Sequence, residues 1–249
     1  MLTLLRQEAY KAIKGRSLWV SLVILFVFQL LMAVGTKQFH IMTGSDFITS
    51  AGQSIEILEI IMVVIASTII TNEFVNKTIK NLLSRQYSRL QVFISKLVTL
   101  IWIYVGIVIF NYLFTLILKV IFFNSTPVSA KMIHETTHIA IGQSIYVFLI
   151  AAFVILISNI AKSSGGSIGI GVASILATQL LGSVLSILIH KYEWVKYNPF
   201  NFFLVQQQYN FAPYHKLTGL SLNAITAGAA IYGVIFLIIA YVIFNRRNI

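Results

Sequence analysis

The chain has 249 residues, 58% hydrophobic and only 10% charged, with a formal net charge of +11 and no cysteine. A soluble domain averages roughly 25% charged residues, so a water-soluble globule is excluded. The missing cysteines exclude disulfide, CxxC redox and thiolate-metal chemistry. In an apolar chain the basic excess points to orientation in a bilayer and contact with anionic headgroups rather than to nucleic acid.

Residues 2–14 pattern as an amphipathic helix. Leu2, Leu5, Ala9, Ala12 and Ile13 share one face, and Thr3, Gln7, Lys11 and Lys14 the other. Such a helix either rests in the membrane interface or serves as a charged lead-in to the first span. Glu8 lies among Arg6, Lys11, Lys14 and Arg16, and the apolar run behind them is span-length. No small-residue cleavage site with a soluble domain behind it follows, so the segment is read as retained rather than as a cleaved signal.

Apolar runs of about 18 residues or more read as membrane crossings. Six occur, over about 17–36, 53–71, 97–122, 139–161, 167–189 and 220–244. Residues 37–52 read as a short polar loop, 72–96 as a basic connection and 162–166 as a tight small-residue turn. An aromatic segment with Pro199 and Pro213 precedes the last span and suits interfacial or re-entrant helices, or a plain aromatic belt. The expected fold is all-α, a single polytopic domain over 1–249. An even span count puts both termini on one side. That side would carry twelve basic residues and two acids, against six basic residues and five acids opposite. The positive-inside rule then places both termini in the cytoplasm.

Polar residues inside spans are expensive and therefore informative. Glu56 and Glu59, three apart, share a helix face near one end of the second span. They form either an acidic collar on a transport path or a wetted helix end. Gln29, Asn111, Gln143 and Asn159 fit interhelical hydrogen bonds. Gln179, with Thr178 and Ser183 nearby, is a cavity candidate in the fifth span.

The connection between the second and third spans is the most distinctive stretch. Phe74, Val75, Ile79, Leu82 and Leu83 recur at helical spacing, opposite Asn76, Lys77, Lys80, Asn81 and Ser84. This predicts a short amphipathic helix at the membrane surface. Ser88 stands three before Gln91, a capping-box spacing that would start the next helix. The order Glu73, Thr78-Ile79-Lys80, Leu83-Ser84, Ser88-Arg89 and Lys96 resembles the first cytoplasmic loop of ABC-2-type ABC transporter permeases. Asn76-Lys77 stands where many members carry a glycine. The six spans, the Glu8–Lys11 lead-in and the turn at 162–166 are similar too.

The resemblance implies a coupling helix that docks on a separate ABC ATP-binding subunit, with Glu73, Lys77, Thr78, Lys80, Arg85 and Arg89 as contacts. It also implies a second permease, either a copy of this chain or a paralogue. ATP and magnesium would be held by the partner subunit and no cofactor by this chain. Among small permeases, exporters of bacteriocins and of amphipathic toxin peptides such as phenol-soluble modulins look most similar. The setting implied is the bacterial plasma membrane. Consistent with a borrowed energy source, no GxxxxGK[ST] occurs in the chain.

Two rival readings come from other classes. His134-Glu135-Thr136-Thr137-His138 matches HExxH, which on a helix can hold zinc with the glutamate as general base. A membrane zinc metalloprotease would need a third ligand, for which His190, Glu193 and His215 are the candidates. Asn198-Pro199-Phe200 lacks the aspartate that intramembrane zinc proteases carry after Asn-Pro. A non-transporting membrane scaffold would use neither motif.

Overall fold

The computed structural model describes residues 1–80, 87–161, 163–189 and 191–247, without the side chains of Ser183 and Ser186. The described residues form helices and no strand. In chain order the α-helices are α1 (Leu2–Lys14), α2 (Arg16–Phe39), α3 (Gly44–Thr49), α4 (Ser54–Val75), α5 (Arg89–Phe122), α6 (Ala130–Ser158), α7 (Ser164–Ile189), α8 (Val205–Asn210), α9 (His215–Thr218) and α10 (Leu222–Arg246). Six of them, α2, α4, α5, α6, α7 and α10, are long and apolar enough to cross a membrane.

Helix ends differ from the hydropathy reading where polar capping outruns the apolar run. The third span helix begins at Arg89 rather than near 97, because Ser88 and Gln91 close a reciprocal capping box. Gln91 N donates to Ser88 Oγ at 3.2 Å and Ser88 N donates to Gln91 Oε1 at 3.0 Å. The fourth begins at Ala130, where Ser129 Oγ accepts from Met132 N at 3.2 Å. Residues 37–52 are not a simple loop. Thr43 Oγ1 accepts from Asp46 N at 3.1 Å and starts α3, whose Phe47 is fully buried.

The chain divides into two compact units, one of Met1–Ile61 with Ser95–His138 and one of Met62–Ile94 with Ile139–Ile249. The core of the first gathers Ala33, Phe47, Ile48, Leu118, Phe123 and Met132. Its polar centre is Gln29. Gln29 Nε2 faces Asn111 Oδ1 at 2.8 Å, Ser54 Oγ at 3.0 Å and the Ala51 carbonyl at 3.2 Å. Ser54 Oγ also lies 2.7 Å from Asn111 Oδ1. These bonds tie α2, α4 and α5 together across apolar surface. They also hold a left-handed turn, with φ of 50° at Ala51, 62° at Gly52 and 55° at Gln53. Side chains disfavour that region by roughly 1–2 kcal/mol per residue. Gly52 is required there, since a Cβ would stand 2.7 Å from Phe47 Cε2.

In the second unit, α4, α6 and α7 are joined through hydroxyls. Thr71 Oγ1 reaches the Ser158 carbonyl and Ser167 Oγ, each at 3.2 Å, and Ser167 Oγ donates to the Ser67 carbonyl. The aromatic segment before α10 is folded as short 3-10 turns, over Glu193–Tyr197, Pro199–Leu204 and Ala212–Tyr214, around α8 and α9. Asn201 Nδ2 staples it by donating to the carbonyls of Lys196 and Thr218 at 2.8 and 2.9 Å. Glycines in three spans make room for it. A Cβ at Gly228 would stand 1.9 Å from Phe202 Cε1, at Gly142 2.4 Å from Tyr209 Cβ and at Gly182 2.8 Å from Leu204 Cδ2.

Candidate functional site

The connection from α4 to α5 is built from its two roots. The α4 helix runs through Val75 instead of ending near 71, so Phe74 and Val75 belong to the span. It stops at a turn over Asn76–Thr78, where Lys77 takes a left-handed φ of 56°. A single helix running on from Phe74 is therefore interrupted. Ile79 and Lys80 are helical again, while Leu82, Leu83, Ser84 and Arg85 lie outside the described residues. Thr78 Oγ1 donates to the buried carboxylate of Glu73. That bond folds the turn back onto the end of α4 and leaves Lys77 and Lys80 exposed.

The second root is held by arginines. Arg89 Nη1 faces the carbonyls of Asn245, Arg247 and Phe244 at 2.7, 2.9 and 3.3 Å. These are carbonyls at the C-terminal end of α10, where partial negative charge gathers; that of Phe244 also accepts from Arg247 N at 3.3 Å. Arg247 donates from Nη1 to the Asn159 carbonyl at 2.7 Å and from Nη2 to the Ala161 carbonyl at 2.9 Å. Its guanidinium lies 4.0 Å over the Phe74 ring, a cation–π contact. Burial pulls the Arg247 pKa below its usual value. Phe244 closes the cluster with Phe74 and Phe93, ring centroids 5.7 and 5.5 Å away. Two arginines and three aromatics thus lock the end of α4, the start of α5, the end of α6 and the end of α10 into one block.

The sequence marked Arg89 as a partner contact; its guanidinium is engaged within the chain. Arg247 was not singled out at all. Its signal was a second arginine beyond the last apolar run, which reads as ordinary interfacial charge. Lys96, the lysine of the family-like pattern, is also turned inward. Its Nζ pairs with Glu8 Oε2 at 2.6 Å inside the first unit, both groups about 95% buried, and Lys11 Nζ shares the other carboxylate oxygen at 3.0 Å.

The expected transport residues fall in different surroundings. Glu56 is exposed in the first turn of α4, whereas Glu59 is buried one turn on. The shared face does not give the two carboxylates one environment. Gln179 is exposed on α7 beside buried Thr178, and the Ser183 side chain lies outside the description. Of the lone amides, Gln29 and Asn111 found each other, and Asn159 Nδ2 donates to the Ala240 carbonyl at 3.2 Å.

His134 and His138 do stack on one face of α6, ring centroids 6.3 Å apart. Glu135 turns instead to Lys131, 3.7 Å away. Among the described residues no three of His, Cys, Asp or Glu gather as a metal site; His190 lies outside them.

Long apolar helices joined by buried amides, by hydroxyls and by the Glu8–Lys96 pair define a multi-pass membrane protein. The family described as ABC-2 family transporter protein matches residues 4–179, which run from α1 into α7 and include the whole α4–α5 connection. The chain belongs to that family. It is similar to the uncharacterized membrane protein YdbK of Bacillus subtilis, 30% identical over 180 residues, covering 70% of this chain and 73% of YdbK. It is also similar to the uncharacterized protein YhcI of the same organism, 23% identical over 219 residues, covering 82% and 68% of the two chains.

Proposed function

We propose that this chain is the permease subunit of an ATP-driven exporter, gripped through its α4–α5 connection by a separate ATP-binding subunit. ATP and magnesium sit in that partner. Two permeases, identical or paralogous, flank one path. Both termini and the α4–α5 connection face the cytoplasm of a bacterium.

One observation carries the reading: exposed cations lie on a connection whose two described ends are bonded within the chain. Lys77 and Lys80 are exposed in and just after a turn that Thr78 bonds back to Glu73, and Arg89, where α5 starts, is bonded to the end of α10. A handle transmits force only if its root is stiff. Arg89 and Arg247 join that root to the ends of α6 and α10, so a push on the connection is delivered to four helix ends together. Lys77, Lys80 and Arg85 then serve as contacts to the partner, while Glu73, Thr78 and Arg89 hold them in place.

The cargo is an amphipathic or hydrophobic molecule, in our reading a peptide. Fixed charge within the described spans is sparse, and Glu56, Glu59 and Gln179 are the polar positions offered to a cargo. Sparse charge suits molecules with apolar faces better than ions or sugars.

The test is co-expression with a candidate ABC ATP-binding protein from the same genome, followed by purification in detergent and an ATPase assay in vesicles. We expect the two to co-purify. Lys77→Glu with Lys80→Glu should abolish capture by about tenfold or more, given reversal of two interfacial charges. A cysteine at Lys77 that reacts only with a label added outside the cell would overturn the proposal. Peptide export by the purified chain without any nucleotide-hydrolysing companion would do the same.

A further inference from the structure

α2 stops at Phe39, His40 takes a left-handed φ of 54°, and the chain turns back into α3. Beside this reversal, within the first unit, lies an open cavity of about 580 Å³. Its lining has two characters: Ile41, Met42 and Phe123 are apolar, while Lys37, His40 and Asp46 bring charge and hydrogen bonding. The walls are anchored. Phe123 packs on buried Phe47, ring centroids 5.0 Å apart. Gly44 lies so near that a Cβ on it would stand 3.1 Å from Phe123 Cδ1. Thr43 Oγ1 accepts from Asp46 N and fixes the turn of α3 that carries Asp46.

The polar groups of the lining are unused. Lys37 and Asp46 are opposite in charge and line one cavity, yet neither side chain has an ion-pair or hydrogen-bond partner among the described residues. The His40 imidazole has none either. Thr36 also lines the cavity. It is 4% exposed, and its Oγ1 has no partner. Thr49, Thr68, Thr99, Thr115 and Thr137 each donate to the carbonyl four residues back in their helices. Thr36 does not.

We propose that this cavity binds an apolar zwitterion of the amino-acid or short-peptide class, with its carboxylate at Lys37 and its ammonium at Asp46. A simple anion would meet the like charge of Asp46, and a simple cation that of Lys37. A molecule carrying both signs answers the two together. Ile41, Met42 and Phe123 then take its apolar side chains, and the volume is that of a small-molecule site. A buried hydroxyl left unpaired is unfavourable, and rotation of Thr36 about χ1 toward the ligand carboxylate would remove that cost. The inference rests neither on ATP coupling nor on the identity of the cargo.

The experiment uses the purified full chain in an uncharged maltoside detergent, titrated in a calorimeter with leucyl-phenylalanine. Two derivatives of the dipeptide are titrated alongside: the C-terminal amide, which lacks the carboxylate, and the N-acetyl form, which lacks the ammonium. The wild type should bind the free dipeptide about fivefold more tightly than either derivative, the upper end for ion pairs at a wetted site. Lys37→Gln should bring the dipeptide down to the level of its amide and keep the preference over the N-acetyl form. Asp46→Asn should do the converse. Both side chains are exposed, so the thermal midpoint should not move. The derivatives make the same comparison on the unaltered chain, so the test survives a variant that fails to fold. Equal binding of all three ligands would overturn the proposal. Absence of saturable heat with the free dipeptide would do so too, as would unchanged dipeptide binding in both variants. No ATP-binding partner enters the experiment, so its failure would leave the permease reading standing.

Discussion

Glu8 with Lys96 in the first unit, and Arg247 in the second, both find partners for a charge within the chain, by different means. In the first, one side chain answers another: carboxylate and ammonium meet at 2.6 Å and each is nearly enclosed. In the second, the guanidinium answers backbone, capping carbonyls at Asn159 and Ala161 and resting on the Phe74 ring. The polar centres lean the same way. Gln29 is served mainly by the side chains of Asn111, Ser54 and Thr115, with the Ala51 and Asn111 carbonyls beside them, while Thr71, Ser167 and Asn159 reach main-chain carbonyls and Thr71 also meets Ser167 Oγ. The first arrangement is specific, because its partners are particular side chains. The second is tolerant, because a carbonyl accepts from any donor that reaches it.

That contrast predicts its largest effect at Glu8. Glu8→Leu removes the carboxylate that Lys96 and Lys11 share inside the first unit. Breaking one side of a buried pair destabilises by about 3–5 kcal/mol. The companion Glu8→Leu with Lys96→Met should recover most of the loss, because apolar replacement of a whole buried pair is often near neutral. Thermal unfolding of the four species in detergent completes the cycle. A double variant as unstable as the sum of the singles would break the contrast, since the pair would then contribute more than mutual satisfaction.

The second unit should instead be sensitive to volume. Gly228→Ala would set a methyl 1.9 Å from Phe202 Cε1, and Phe202 is held by Tyr232 on the same helix as Gly228, ring centroids 5.1 Å apart. Overpacking of this kind costs about 1–3 kcal/mol. The change should loosen residues 193–218, read as faster hydrogen exchange there, while α2 and α3 exchange as before. Equal loosening at α2 would show that the division into two packing styles is not a division in stability.

Much of this was open to a reader of the sequence, and the reason differs by feature. The six spans were legible because an apolar run long enough to cross a bilayer has few other uses. The start of α5 was legible because a capping box is local: Ser88 and Gln91 are three residues apart. Gln29 and Asn111 could be named as lone amides needing partners, but their pairing joins positions 82 residues apart, and several other amides were equally eligible. Lys96 and Glu8 were both in view, one as a family-like lysine and the other as part of a charged lead-in. Nothing local joins them. The bonds that Arg89 makes within the chain were hidden for a different reason. Its acceptors are main-chain carbonyls, and backbone leaves no residue type for a pattern to find.

The smallest expected effect is also the most local, and it lies where the proposed handle meets the membrane helix. Ser88→Ala removes the side chain that accepts from Gln91 N and leaves Gln91 Oε1 still able to accept from the backbone of residue 88. Loss of an N-cap costs about 1 kcal/mol, and half of a reciprocal box remains, so global stability should fall by less than that. The change should concentrate in the first turn of α5, as faster amide exchange over residues 89–92. Arg89 belongs to that turn, so fraying there should carry its guanidinium away from the α10 carbonyls and speed exchange near residue 247 as well. Exchange confined to 89–92 would mean that Arg89 follows the helix end without restraining it, and the root would be softer than its hydrogen bonds suggest. Spread to residue 247 with no change at Gln29 would support both ideas at once: a stiff root, and a first unit whose side-chain pairs are indifferent to the second.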